Sequence, residues 1–196
     1  MIKAREGLRP AAARLGLKLT YLPIIVKAVS VALGQHPEAM ARLSADKEHV
    51  VHPSSHNIGI AIDTPKGLVV PNIKRVETLS ILEVGLELAR LTDLAQAGRL
   101  PAQDVTGGGM TISNIGAVGG TYMSPVLMPG EPLIVALGAL TTEPRYDPSG
   151  CLQPTPLLRA SWAADHRTVA GATLARLSNS VKALLADPSA MLLHLR

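Results

Sequence analysis

Phenylalanine is absent from these 196 residues, and there are only one Trp and three Tyr. Hydrophobic residues still make up 47%, enough for a folded domain rather than a disordered tail. The core is therefore expected to be aliphatic. The same shortage removes the aromatic stacking platforms of a nucleic-acid reader. Cys151 is the only cysteine, so no intrachain disulfide can form and a reducing compartment is the default. Long apolar runs are missing too. The longest, residues 19–34, is interrupted by Pro23 and Lys27 and is too short for a bilayer. No small-residue cleavage site follows it, so it reads as a buried helix rather than a signal-peptide core. No membrane partner is expected. The net charge of +4 is mild and suits an anionic ligand without requiring one.

Several catalytic signatures are also missing. The stretch TGGGMTISNIGAVGG is glycine-rich but contains neither G-x-G-x-x-G nor a Walker-type lysine. No G-x-S-x-G occurs, which argues against an ordinary serine hydrolase. These glycines fit a bulged or closely approached strand. They also fit a ligand lying against the backbone, with Ser113 and Asn114 presenting polar groups. His49, His52 and His56 are interrupted by Pro53 and have no thiol or carboxylate in a metal-binding pattern beside them. Two surface histidines and one structural or pocket histidine are expected, and no metal.

What is present reads as one domain with a single sizeable core. Residues 2–15 have a helical pattern. Thr20 is placed to cap the next helix, with Pro23 in its first turn, where a missing N–H costs little. Ile58, Ile60 and Ile62 alternate with Gly59 and Ala61, which marks a strand. Thr64-Pro65-Lys66-Gly67 is turn chemistry, and an apolar strand is expected over 68–73. Ser80 and Glu83 have capping-box spacing, and Gly98 supplies a stop. Between them Leu82, Leu86, Leu91 and Leu94 form the expected apolar stripe. Strands follow at Met110–Asn114, 133–137 and 157–163. The last helix carries Leu174, Leu177, Val181 and Leu184, and ends at Pro188. Irregular alternation of helices and strands predicts an α/β, two-layer fold with one mixed sheet covered by helices.

His166 stands where the last strand gives way to the last helix, in SWAADHRTVAGATLARL. Such a position holds a side chain rigidly while letting it face a cleft. A satisfied core histidine is the competing reading, with Asp165 and Arg167 as a solvated rim.

The run DHRTVAG resembles the Asp-His-Arg-x-x-Asp-Gly signature of the dihydrolipoamide acyltransferases, the core subunits of 2-oxo acid dehydrogenase complexes. Chloramphenicol acetyltransferase is a more distant relative with the same fold. SSHNIGIAIDTPKGLVVPNI, TGGGMTISNIGAVGGT and the carboxy-terminal run from SWAADHRTVAG to MLLHL resemble that catalytic domain in order and spacing. SHNIGIA, and a Ser-Asn in the last helix, resemble the branched-chain type. The resemblance spans residues 1–196 and implies a chloramphenicol acetyltransferase-like fold. It implies trimers with active sites between subunits, built into a hollow core. Coenzyme A and a lipoyl group carried on a separate domain would be the substrates. The decarboxylase and dihydrolipoamide dehydrogenase would be further partners. His166 would be the general base and Ser113 the oxyanion donor. Arg5, Thr20, Asp63, Thr92, Ser113, Asn114 and Gly138 would contact coenzyme A. The mitochondrial matrix or a bacterial cytoplasm would be its setting.

Two departures stand out. Ala170 replaces the family's aspartate (or asparagine) four residues after the histidine. The family's first strand and preceding helix, and its lipoyl and peripheral-subunit-binding domains, have no counterpart in these residues. A catalytically weak or inactive structural core subunit is therefore the alternative reading, and a free-standing acetyltransferase acting on a small alcohol is a third.

Overall fold

The structure is a computed structural model that describes residues 1–194. Five α-helices are seen among them: α1 (Ile2–Arg14), α2 (Leu22–Gln35), α3 (Ile81–Gln96), α4 (Ala102–Val105) and α5 (Gly171–Ala186). The strands are β1 (Arg42–Leu43), β2 (Val50–Val51), β3 (Ile58–Thr64), β4 (Gly67–Val69), β5 (Asn72–Ile73), β6 (Met110–Asn114), β7 (Leu133–Tyr146) and β8 (Leu152–Ala164). The small β1–β2 hairpin stands apart. The others form one mixed sheet in the order β4-β3-β6-β7-β8, with β5 also beside β3. β3, β6 and β7 run parallel, while β4 and β5 oppose β3 and β8 opposes β7. The expected helix-covered mixed sheet is what the chain builds.

Register assigns the two faces. Ile58 pairs with Met110, Ile60 with Ile112, Ile112 with Val135, and Val135 with Trp162. Side chains alternate across a strand, so these residues share one face. All but Trp162 join the core cluster, with Ile24, Val29 and Leu33 of α2, Leu91 of α3 and Leu177 and Val181 of α5; Trp162 packs against it. Helix α2 runs through this layer with ten buried residues, which is why it needs no polar face. The other face of the sheet carries Gly59, Ala61, Thr111, Ser113, Ile134, Ala136, Ser161 and Ala163 by the same register. Apart from Ile134, it is a row of small and hydroxylated side chains.

Four local expectations change. Thr20 caps nothing: Tyr21 is already in the helical region (φ −75°, ψ −26°) and is the N-cap, so Thr20 lies one residue outside. The strand expected over 68–73 is two strands, because Pro71 has no N–H for the ladder; its carbonyl accepts from the Ile60 amide at 2.8 Å instead. The capping box of α3 is present, with Ser80 Oγ accepting from the Glu83 amide and Glu83 Oε2 from the Ser80 amide. The buried residues of α3 are nonetheless Val84, Gly85, Leu91 and Ala95, while Leu86 is exposed. Finally, β7 and β8 continue well past the expected ends as a long antiparallel arm, after a register shift between Leu137 and Leu140.

Candidate active site

The carboxyl ends of the three parallel strands bring four of the candidates together: Ser113, Asp63, Asn114 and Gly138. Ser113 pairs with Ala61 on one side and Ala136 on the other. Asp63 lies two residues past Ala61, Asn114 follows Ser113, and Gly138 follows Leu137, the partner of Asn114. Ligands of open α/β sheets gather at such strand ends. Ser113 is half-buried, and among the described residues its hydroxyl has no hydrogen-bond partner. Asn114 Oδ1 accepts from the Gly116 amide at 3.2 Å. The loop beyond then folds onto the sheet. The Ile115 and Gly116 amides both donate to the Leu137 carbonyl, and the Ala139 amide donates to Gly120.

That crossing requires two glycines. A Cβ on Gly116 would sit 2.7 Å from the Gly138 carbonyl carbon and 2.9 Å from Ala139 Cα. A Cβ on Gly138 would sit 2.5 Å from the Thr121 carbonyl oxygen. Gly138 therefore has a packing role in the chain itself, whatever it does for a ligand. The glycine-rich stretch works as a close backbone approach that props Ser113 at the mouth of the sheet.

Asp63 and the remaining candidates are held by contacts of their own. Asp63 is exposed, and its backbone carbonyl accepts from Gln96 Nε2 of α3. Thr92 donates back to the Leu88 carbonyl at 2.7 Å, so its hydroxyl is committed to its own helix. Arg5 is not a solvated side chain: Nε donates to the Leu19 carbonyl at 2.9 Å, and the guanidinium lies 4.7 Å over the Tyr21 ring. Thr20 is exposed beside them.

His166 is elsewhere. Ser161 pairs with Ala136 in the Ser113 row, and Ala164 ends β8 three residues further on, about 10 Å along a strand. The turn after it is fixed at the amino ends of the parallel strands. The Asp165 amide donates to the Pro132 carbonyl at 2.8 Å, and Thr168 Oγ1 to the Ala41 carbonyl at 2.7 Å. Asp165 holds the Arg167 guanidinium through both carboxylate oxygens, which keeps its carboxyl below the usual aspartate range. His166 itself is exposed, and among the described residues its ring has no hydrogen-bond partner. A dry, firmly held imidazole is thus not found within one chain, and neither is a core histidine. The ring sits exposed on a turn at the rim. Ala170 is the N-cap of α5 and has no side-chain group to give it.

Two buried polar clusters escaped sequence reasoning, because their members are far apart in the chain. His56 Nδ1 lies 2.9 Å from Ser30 Oγ, and the His56 amide donates to Glu77 Oε2. Burial pushes this imidazole below its ordinary range; Glu77 opposes that and Lys27 adds to it. Glu131 accepts from Thr111 Oγ1 at 2.6 Å, and its burial raises its carboxyl above the usual glutamate range. Of the three sequence histidines, His49 and His52 are exposed and His56 is half-buried. Asp46, Glu48 and His49 gather on the surface, as exposed polar groups do without an ion.

A cavity of about 990 Å³ is a separate matter. It lies between the start of α1, α5 and β8, lined by Val29, Leu158, Trp162, Val181 and Leu185. None of the candidate residues lines it. Trp162 Nε1 is buried beside it without a hydrogen-bond partner.

Comparison with known proteins puts these two ends in context. The lipoamide acyltransferase component of the mitochondrial branched-chain alpha-keto acid dehydrogenase complex of Mus musculus is 44% identical over all 196 residues, which cover 41% of that protein. The acetyltransferase component of the Staphylococcus epidermidis pyruvate dehydrogenase complex is 37% identical over 97% of the chain and 44% of its own length. The chain thus spans about two fifths of these curated relatives. Among solved structures, the cubic core of a pyruvate dehydrogenase multienzyme complex superposes with a TM-score of 0.92 at 33% identity, over 97% of this chain and 78% of that one. The Azotobacter vinelandii dihydrolipoamide acetyltransferase matches equally well. The roles of a serine, a histidine and an asparagine four residues after it have been investigated in its catalytic mechanism. Chloramphenicol acetyltransferase, at 16% identity and a TM-score of 0.58 over 91% of this chain and 83% of that one, shares the fold. The model of the 2-oxoacid dehydrogenases acyltransferase (catalytic domain) family matches residues 1–193, and this protein belongs to that family.

Proposed function

We propose that the protein transfers an acyl group, of the branched-chain class, between dihydrolipoamide and coenzyme A. Its active site is shared between two copies, one contributing His166 and the other Ser113. One observation carries this reading. The two side chains that suit the chemistry lie at opposite ends of one sheet, each without a hydrogen-bond partner among the described residues. Alone, neither end can act on the other's substrate atoms. A neighbouring copy that sets its Ser113 end against the His166 turn completes the site and covers the imidazole. The family's multimeric cores, such as the cubic one above, agree with such an arrangement. The 44% identity to a branched-chain component favours a branched acyl group.

In that site His166 takes the proton from the coenzyme A thiol. The thiolate attacks the acyl carbonyl of the dihydrolipoamide thioester. The Ser113 hydroxyl donates to the oxyanion of the tetrahedral intermediate. Collapse breaks the bond to the dihydrolipoamide sulfur, which recovers the proton from the imidazolium. Arg5, Thr20, Asp63, Thr92, Asn114 and Gly138 line the coenzyme A side, with Arg5 suited to a phosphate. Coenzyme A and the lipoyl group enter as substrates. The decarboxylase and dihydrolipoamide dehydrogenase components are further partners, in a mitochondrial matrix or a bacterial cytoplasm.

Subunit mixing tests this. His166→Ala and Ser113→Ala are each assayed with isobutyryl-, acetyl- or succinyl-coenzyme A and dihydrolipoamide, then unfolded together and co-refolded. Both single variants are expected to be severely impaired, and the mixture to regain activity, because some interfaces pair an intact histidine with an intact serine. A mixture no better than its parents refutes the shared site. Wild-type protein no more active than His166→Ala points instead to a structural core subunit, which the alanine at 170 favours. Acylation of an alcohol in place of a thiol would point to a free-standing acetyltransferase.

A further inference from the structure

An exposed imidazole works as a base only if its turn is held still, and this turn has few holds. Its backbone closes on itself, with the Thr168 and Val169 amides donating to the Asp165 carbonyl. The Asp165–Arg167 pair lies within the turn and, among the described residues, ties it to nothing else. Ala170 begins α5 with a methyl group and no cap. The start of the turn is tied through the Asp165 amide to Pro132, and Val169 is buried at its end. Among the described residues, one side-chain hydrogen bond joins the middle of the turn to the body of the protein. That bond runs from Thr168 Oγ1 to the Ala41 carbonyl, at 2.7 Å, across 127 residues of sequence.

We propose that Thr168 is the positioning residue for His166 and supplies the anchoring that a side chain at position 170 cannot give. Thr168 follows the signature's Asp-His-Arg at a position the signature leaves open, so nothing in the motif requires a hydroxyl there. In this chain it faces a backbone acceptor and meets it with good geometry. A hydroxyl can do this and a methyl cannot, which separates Thr168 from Val169 beside it. The inference rests on His166 being the base. Thr168 touches no substrate; it acts through the orientation of the ring two residues before it.

The test compares Thr168→Val, which keeps the shape and removes the donor, with Thr168→Ser, which keeps the donor. Thr168→Val is expected to lower kcat for acyl transfer by about 10- to 100-fold, the scale of an ångström-sized misplacement. KM for coenzyme A should stay within about twofold, because the coenzyme A side is at the other end of the sheet. Amide hydrogen exchange at positions 166–169 should speed up at least about tenfold, as expected for a local opening. Thr168→Ser should restore both. Unchanged exchange in Thr168→Val, or a kcat loss that serine does not rescue, overturns the proposal. Ala170→Asn in the otherwise wild-type protein is a second arm that needs no valine variant to fold. With Thr168 holding the turn, it should alter kcat by less than about threefold, and a tenfold gain would show that the turn was loose all along. If wild-type protein transfers no acyl group, the exchange measurements still read the anchor, so failure of the base and failure of the tie are told apart.

Discussion

The two ends of the sheet are built on different principles. At the carboxyl ends, Ser113 is clamped between two parallel strands, and a loop is laid over the sheet beside it through Gly116 and Gly138. At the amino ends, His166 rides on an exposed turn held by single hydrogen bonds to Pro132 and Ala41. In the proposed site the hydroxyl for the oxyanion is placed by the ladder hydrogen bonds of two neighbouring strands. The proposed base is placed by a turn, where individual side chains decide the order. The Ser113 end is therefore fixed in orientation and intolerant of added volume at Gly116 and Gly138. The His166 end depends on its few polar ties.

That contrast can be broken at several points. His166→Ala should give the largest effect, a loss of about 10²- to 10⁴-fold in kcat, the range of general-base catalysis. Ser113→Ala should cost about 10²- to 10³-fold with little change in stability, as for the loss of one oxyanion donor; steady-state kinetics and a melting curve check both. Gly116→Ala should behave oppositely, lowering stability by about 1–3 kcal/mol through overpacking, seen as a lower denaturant midpoint. Ala170→Asp should raise stability by about 0.5–2 kcal/mol by capping α5, a gain that chemical unfolding resolves.

The smallest effect lies off both ends, at His56. Its folded-state pKa is lowered by burial, so below its ordinary pKa of about 6.5 the unfolded chain binds the proton more readily. Its contribution to stability is present above that pH and is lost as pH falls below it, through the lowered folded pKa. Melting temperature should fall on acidification from pH 7 toward pH 5, and His56→Gln should reduce that slope. An unchanged slope would show that other groups control the acid response; Glu131, whose carboxyl is raised by burial, acts in the opposite direction.

Much of this was legible in the residues themselves. The isoleucine alternation at Ile58, Ile60 and Ile62 identified a strand because its period of two is local. The Ser80–Glu83 box and Gly98 bounded α3 because capping is local chemistry. DHRTVAG pointed to the family, which relatives of similar sequence then showed. The failures were contextual. Leu86 looked like core by helical spacing, but the body of the protein sits against Val84 and Leu91. Thr20 looked like a cap, but the backbone had already turned helical at Tyr21. The Glu131–Thr111 and His56–Ser30 pairs join segments that nothing in the order of residues brings together.

Sequence alone determined the element types, the aliphatic core and the family, because short-range periodicity, capping and motif spacing need no knowledge of neighbours in space. Only the tertiary structure decided that Ser113 and His166 stand at opposite ends of one sheet. Strand order and direction set that separation, and they arise from how distant segments bury their apolar faces together.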